Sequence, residues 1–188
     1  MAYEVPALGT AGQVYTAAAH NIIVNDVLVS RALQVNLKAT VLTAASSISV
    51  ATQVLSSDIS GLTVEITPAS STSKVLVTLL LSADMDTTGT IHPVLYRDGA
   101  VVSAATGDAA GSRARVWGSI SATGATGAAG SFSFLDSPAT TSPVTYSVRV
   151  RHGSGGTRTI YFNRSPLATD NLTYFRQIST ILAQEIPV

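Results

Sequence analysis

The acidic residues that could bind a metal lie in one short stretch, Asp84-Met-Asp86-Thr-Thr-Gly89. It begins like a calcium loop, in which carboxylates at the first and third positions and a glycine at the sixth wrap a hard cation. Leu95 stands at the twelfth position, where a bidentate glutamate should close the site. We therefore interpret the stretch as a polar turn.

The three histidines are the other candidates for metal binding. His20, His92 and His152 are predicted to lie in a helix, a strand and a turn, and no two have the spacing of zinc ligands on one face. The sequence contains no cysteine, which excludes disulfides and thiolate metal sites. We predict neither a metal nor a cofactor, and we interpret His152 as a solvated loop histidine.

Residues for catalysis have no recognisable arrangement in the sequence. No Gly-x-Ser-x-Gly elbow is present, and Ser154 lies in a glycine-rich turn. Glycoside hydrolysis needs two carboxylates about 5–10 Å apart. Asp84 with Asp86, or Asp136 with Asp170, are the pairs that could supply them. We predict that the protein is not an enzyme.

Four arginines form two pairs on predicted strands. Arg149 and Arg151 share the polar side of one strand, and Arg113 and Arg115 share one side of another. Like charges two residues apart repel unless an anionic group lies between them. We expect these side chains to bond to carboxylates or carbonyls of an adjacent subunit. Ordinary solvation of an exposed face explains the pattern equally well.

The elements that position these side chains are predicted to be β-strands. Apolar Val144, Tyr146, Val148 and Val150 alternate with polar residues, which is the period of a strand with one buried face. A glycine-rich turn follows, and residues 157–163 resume a strand pattern. We predict a β-hairpin over residues 144–163.

Similar short segments recur from residue 37 to the end of the sequence. The predicted strands are 37–43, 48–55, 62–66, 74–81, 91–97, 101–104, 113–120, 131–135, 144–151, 157–163 and 179–186. Asp98-Gly99 marks a tight hairpin, and the Ala-, Thr- and Gly-rich residues 119–130 are predicted to be a flexible loop. Strands at this spacing indicate an all-β sandwich, jelly-roll-like in its arrangement.

The first 35 residues have a different pattern. Residues 1–15 contain prolines and glycines and predict an extended arm, and residues 16–33 predict a short α-helix with a threonine cap. The helix is apolar on more than one side, so Ile22, Ile23 and Val27 are candidate interface residues. Packing on its own domain is the alternative. We predict an anchoring arm and helix at 1–35 and a β-sandwich domain at 36–188.

The composition indicates that much of the surface is covered by other subunits. Charged residues make up 12% of the chain, and its mean hydropathy is +0.34. No apolar run reaches the roughly 18 residues of a membrane span. The net charge is zero, with no basic field to attract nucleic acid. We therefore predict a partner that is protein, with no nucleic acid and no membrane.

Residues 132–165, FSFLDSPATTSPVTYSVRVRHGSGGTRTIYFNRS, resemble the C-terminal β-domain of small structural proteins of tailed bacteriophages. Upstream segments 61–68, 73–77 and 94–99 fit the same family, so the resemblance covers roughly residues 48–188. It implies a homotrimer on the outer surface of the capsid. The first residues lack the basic start and the apolar segment of a secretory signal, so we expect synthesis in the bacterial host cytoplasm.

The role implied by this resemblance is that of a capsid decoration or cement protein that binds the major capsid protein or another virion protein. A tail or head fibre component contacting a host receptor is the alternative. Receptor-binding modules present aromatic side chains at loop tips, and the aromatic residues here fall mainly in predicted strands. That distribution favours the cement role.

Overall fold

All regular structure is β, apart from one turn of 3-10 helix, in the residues that the computed structural model describes, namely 36–167, 172 and 174–188. The eleven strands are β1 (Leu37–Leu42), β2 (Ser46–Val50), β3 (Thr63–Ile66), β4 (Lys74–Met85), β5 (Thr88–Arg97), β6 (Ala100–Val101), β7 (Ile120–Thr123), β8 (Ala128–Asp136), β9 (Val144–His152), β10 (Arg158–Phe162) and β11 (Ser179–Ile186). The predicted arm and helix, with His20, Ile22, Ile23 and Val27, lie outside the described residues.

The first sheet is built around the long strand β4. On one side β4 pairs with β8, and on the other it pairs first with β11 and then with β10. Strand β1 pairs with β11, and β2 pairs with β10. The sheet therefore has four strand positions, in the order β1/β2, β10/β11, β4 and β8.

The second sheet also has four positions. Strand β9 lies between β3 and β5, and the far side of β5 pairs with β7 and then β6. All pairs are antiparallel. Three pairs of short strands, β1/β2, β6/β7 and β10/β11, each occupy one position, so the sandwich has eight positions. When these positions are numbered 1 to 8 along the chain, the first sheet has the order 1-8-3-6 and the second 2-7-4-5, which is the strand order of a jelly roll. The predicted all-β, jelly-roll-like sandwich is confirmed.

Alternating side chains from both sheets fill the core. Val75, Val77 and Leu79 of β4 are fully buried, and Tyr146 and Val148 of β9 face them from the second sheet in the same core cluster. The alternation predicted for β9 is confirmed because each second residue contributes to this core.

The predicted hairpin over residues 144–163 is wrong. Strand β9 pairs with β3 and β5 in the second sheet, whereas β10 pairs with β2 and β4 in the first. The glycine-rich turn therefore carries the chain from one sheet to the other. Alternation shows which face of a strand is buried but does not specify its hydrogen-bonded neighbour, so a hairpin and an inter-sheet connection have the same sequence pattern.

Two predictions for residues 113–130 are also wrong. Residues 113–119 form no strand, and the predicted flexible loop contains β7, a turn and the start of β8. Asp98-Gly99 does form the tight hairpin, with Arg97 opposite Ala100 and φ values of 50° and 78° at the two central residues. This turn agrees with the prediction because a primed turn needs two residues that tolerate positive φ.

The buried carboxylate of Asp84 holds the turn between β7 and β8. Its Oδ1 accepts hydrogen bonds from the backbone N–H of Met85 (2.8 Å), Thr123 (2.9 Å) and Gly124 (3.2 Å). Its Oδ2 accepts from the Thr123 hydroxyl (2.8 Å) and the Gly127 N–H (2.8 Å). The polar turn predicted for residues 84–89 is confined to Asp86 and Thr87, between β4 and β5, and is wrong for Asp84, which lies in β4 with 0% exposure.

Candidate functional site

The outward-facing side chains of β1, β11, β4 and β8 form a surface that we call the outer face of the first sheet. The register places Leu80 of β4 between Thr180 and Ser131, and Leu76 between Gln184 and Leu135. Leu76 and Leu80 alternate with the buried valines and leucines of the same strand. This face therefore points away from the core across four strands.

The outer face of the first sheet is apolar and almost uncharged. Its large exposed side chains include Leu37 (45%), Val41 (54%), Leu80 (39%) and Leu135 (44%). Uncharged polar residues and further aliphatic residues occupy nearly all of the remaining outward positions of these four strands, and the charged residues among them are Lys74 and the fully buried Asp84. A contiguous patch of this kind is typical of a surface that contacts another protein.

The outer side of the second sheet has a polar character. Arg149 of β9 donates from Nε to Oδ1 of Asp58 at 2.7 Å, and its guanidinium lies 4.1 Å from the centre of the Tyr96 ring. The carboxylate that Arg149 binds therefore belongs to its own chain. Contact of Arg149 with a neighbouring subunit stays a prediction.

Arg113 and Arg115 do not lie on a strand, so the prediction that they share one side of a strand is wrong. Both belong to the irregular segment before β7. Arg115 donates from Nε to the Gly107 carbonyl oxygen at 2.6 Å and from Nη2 to that of Ser103 at 3.4 Å, so it ties its own loop together. Ala114, Val116 and Gly118, which alternate with polar residues in this segment, do not belong to the core.

Arg113 and Arg151 both line a cavity of about 280 Å³ at one end of the second sheet. Strands β5 and β9 provide its histidines, because His92 lies opposite Arg151 and Ile91 lies opposite His152 in the register. The complete lining consists of Gln53, His92, Ser112, Arg113, Ala114, Arg151, His152 and Gly153. Sequence-distant segments thus bring two arginines and two histidines together.

His152 is fully buried, so its interpretation as a solvated loop histidine is wrong. Its Nε2 lies 2.8 Å from the carbonyl oxygen of Val50, and because a carbonyl can only accept, Nε2 carries a hydrogen. The Nδ1 atom is then a lone-pair acceptor in the neutral ring. It is buried and has no hydrogen-bond partner among the described residues.

His92 has a similar unpartnered nitrogen. Its Nε2 lies 3.1 Å from the Thr90 hydroxyl, and its buried Nδ1 has no partner within the described part of the chain. Burial lowers the pKa of His92, and the nearby charges of Arg151 and His152 lower it further, although the neighbouring Gly118 backbone opposes them. The ring is therefore neutral at pH 7.

The cavity has an excess of positive charge. No carboxylate contributes to its lining, and neither Arg113 nor Arg151 forms an ion pair with any described residue. Clefts lined by one sign of charge concentrate ligands of the opposite sign. In the sequence, these histidines were candidates only for metal binding, and no pattern predicted this cavity. The neighbouring Arg151-His152 pair was the available signal.

The acidic residues considered for catalysis or metal binding have structural contacts instead. Oδ2 of Asp136 accepts hydrogen bonds from Arg97 Nη1 (2.6 Å) and the Tyr146 hydroxyl (2.7 Å), which links β8 to the second sheet. Asp86 accepts from the Thr159 backbone at 2.9 Å. No three histidine, aspartate or glutamate side chains are grouped to hold a metal ion in residues 36–167, 172 and 174–188.

Comparison with protein-family models finds no match, and comparison with curated proteins finds no significant match either. The resemblance to tailed-phage structural proteins is therefore an interpretation of the sequence motifs. In the part of the chain that the structure describes, no helix has the length and apolarity needed to cross a membrane.

Proposed function

We propose that this protein is a structural protein of a tailed-phage virion, a homotrimeric decoration protein that binds the outside of the head shell and stabilises it. The observation that carries the proposal is the apolar, nearly uncharged outer face of the first sheet, with Leu80 exposed on the inner strand β4 and Leu135 exposed on the neighbouring edge strand β8. The sequence resemblance to phage structural proteins supplies the kind of particle. Sister copies and the shell are the proposed occupants of this face.

The size of the outer face of the first sheet suits this purpose. Four strand positions about 4.8 Å apart, with strands of 6, 8, 12 and 9 residues rising about 3.4 Å per residue, give a flat area on the order of 500 Å². A stable protein interface takes about 800 Å² of accessible surface from each partner. Because side chains corrugate the surface, this single face supplies most of one subunit's share.

Burial of this face also has little electrostatic cost. Removing a charged group from water without a partner costs several kcal/mol, by a rough estimate. Two charged residues lie at outward positions of β1, β4, β8 and β11. Lys74 is the first residue of β4, at the rim, and Asp84 is already fully buried and hydrogen-bonded within its own chain. The charged side chains Arg97 and Arg149, by contrast, already have carboxylate partners in their own chain.

The stabilising mechanism is mass action. A protein that binds only the assembled shell lowers the free energy of that shell and shifts the equilibrium away from disassembly. The effect grows with the number of bound copies. The rival role, a fibre component that contacts a host receptor, would place a few dozen copies or fewer on each particle.

Binding to purified heads tests the proposal. We expect wild-type protein to saturate heads at hundreds of copies, counted by quantitative mass spectrometry, and to raise their thermal disruption temperature. The Leu80→Lys variant should fold but bind at least tenfold more weakly, since it places a charge at the middle of the proposed interface. Val101→Lys is the matched control because Val101 is similarly exposed (43% against 39%) but lies in the second sheet. Equal binding by both variants would contradict the proposal.

A further inference from the structure

We propose that β8 pairs with β8 of a second copy of this chain, antiparallel and with full overlap, so that the first sheets of two subunits form one continuous sheet. The proposal goes beyond the decoration role and does not depend on it. It uses the backbone edge of β8, whereas the decoration role uses the outer face of the first sheet. The two contacts can therefore be tested separately.

Strand β8 is the longest edge strand of the sandwich. It has nine residues, whereas the other edge strands, β1, β2, β3, β6 and β7, have two to six. It pairs with β4 on one side, and in the part of the chain that the structure describes no other group hydrogen-bonds to the backbone of residues 128–136. Every second residue of β8 therefore directs an N–H and a C=O group away from β4.

The edge of β8 has none of the features that prevent strands from pairing with another chain. Such features are prolines, charged side chains and bulges. The register with β4 runs unbroken from Ala128 to Asp136, so β8 has no bulge, and its sequence AAGSFSFLD contains no proline. Asp136 is its one charged residue, stands at the last position and already binds Arg97 and Tyr146. A long edge of this kind is typical of a strand that has a partner in the assembled protein.

The side chains of β8 are complementary to those of the same strand in the reverse direction. Full antiparallel overlap places the first residue opposite the last, and opposite residues then lie on the same face of the sheet. Large side chains meet small ones, and serine meets serine, in the pairs Gly130–Phe134, Ala129–Leu135 and Ser131–Ser133. An aromatic ring opposite an edge glycine covers the exposed backbone. A shift of two residues would instead place Gly130 opposite Asp136 or leave Leu135 with no strand residue opposite it.

Pairing through β8 also covers apolar surface at the rim of the core. Phe132 and Phe134 pack against the core but are only partly buried, and Leu135 is 44% exposed. The Phe132 residues of the two copies lie opposite each other, and two aromatic rings at this distance attract each other. No like charges meet, because Asp136 lies opposite Ala128 of the other copy. A second copy of this chain therefore fits the edge in both size and charge.

The small area of this contact makes it weak in solution. A strand pair about 30 Å long and about 10 Å deep covers on the order of 300 Å² of each partner. A stable interface takes about 800 Å² from each partner. We therefore expect β8 to join copies that are already concentrated, such as neighbours on a particle, and to pair only transiently at micromolar concentration.

Disulfide trapping captures a transient contact and reports its register, and the chain has no cysteine of its own. In the proposed pair, the Cβ atoms of Ser131 and of Ser133 in the other copy are about 5 Å apart, close enough for a disulfide after a small adjustment. The two Ser131 residues are about 8 Å apart, which is too far. Under mild oxidation, a mixture of the Ser131→Cys and Ser133→Cys full chains should form linked dimers about tenfold faster than either variant alone.

A mixture of Ser119→Cys and Ser121→Cys is the matched control. These serines are also exposed, two residues apart and at a sheet edge, because Ser121 belongs to β7 and Ser119 precedes that strand. Their mixture should form dimers no faster than either of its variants alone. The proposal is overturned if the β8 mixture reacts no faster than its separate variants, or no faster than the control mixture.

An exchange of charge gives a second readout. Wild-type protein at high concentration should show association through β8 in sedimentation velocity. Ser131→Lys/Ser133→Lys places like charges opposite each other twice and should abolish this association, whereas Ser131→Lys/Ser133→Glu places opposite charges together and should restore it. Association that survives the double lysine substitution, or that both variants lose, would contradict the proposed register.

Discussion

Replacing Asp84 with alanine should destabilise the protein far more than a change at a single buried polar residue usually does. The carboxylate accepts five hydrogen bonds, three at Oδ1 and two at Oδ2, four of them from the turn between β7 and β8. Each donor left without a partner costs about 1–3 kcal/mol when buried and less where water can replace the carboxylate. Because the turn is partly exposed, we expect a loss of about 3–5 kcal/mol, against a total stability of about 5–15 kcal/mol.

Urea unfolding followed by tryptophan fluorescence measures this loss. Trp117 is the only tryptophan of the chain, and it packs against Phe132 of β8 with ring centroids 6.0 Å apart, so it reports on this region. The matched control is Asp86→Ala, which removes one exposed hydrogen bond to Thr159 and should cost about 1 kcal/mol.

Equal effects of the two substitutions would refute the structural role of Asp84. A second refuting result concerns metal. If a chelator destabilised the wild type as much as Asp84→Ala does, a bound cation would explain the importance of this carboxylate better than the hydrogen bonds to the turn. We expect the chelator to have no effect.

Three further predictions concern buried polar groups. Tyr146→Phe should lower the free energy of unfolding in urea by about 1–2 kcal/mol, because it removes the buried hydrogen bond that the hydroxyl donates to Asp136. Burial raises the pKa of Tyr146, so this hydroxyl stays protonated. The free energy of unfolding should fall as the pH drops below 6.5, because His92 has a lowered pKa in the native state and takes up a proton more readily in the unfolded chain. His92→Gln should make the free energy of unfolding depend less on pH in this range. Burial alone would raise the pKa of Glu185, but hydrogen bonds from Asn36, Ser73 and the backbone lower it below 4.5. Glu185 therefore stabilises the fold above that pH and loses this contribution as the pH falls further, so Glu185→Gln should remove the slope in that range.

The sequence predicted the strands whose burial alternates and left their partners undetermined. Val144 to Val150 show a buried face because every second side chain enters the core. The same alternation holds for β10, yet the two strands belong to different sheets. Pairing depends on contacts across the sandwich, and these are not encoded in the period of one segment.

The cavity was not predictable for a related reason. Gln53, His92, Arg113 and His152 are separated by tens of residues. The pairing of β5 with β9 brings the two histidines together, and Gln53 joins them through a backbone hydrogen bond to His152. Asp84 is a second example. Its carboxylate looked like part of a metal loop in the sequence because its partners, the N–H groups of residues 123–127, lie about forty positions away in the chain.

Sedimentation equilibrium of the purified chain is the most direct measurement of whether sister copies cover the outer face of the first sheet. We predict a species with three times the 19.3 kDa mass of one chain at micromolar concentration, and dissociation of that species when Leu80 is replaced by lysine. A wild-type chain that sediments as a well-dispersed monomer at high concentration would contradict the trimer and, with it, the proposed role on a capsid.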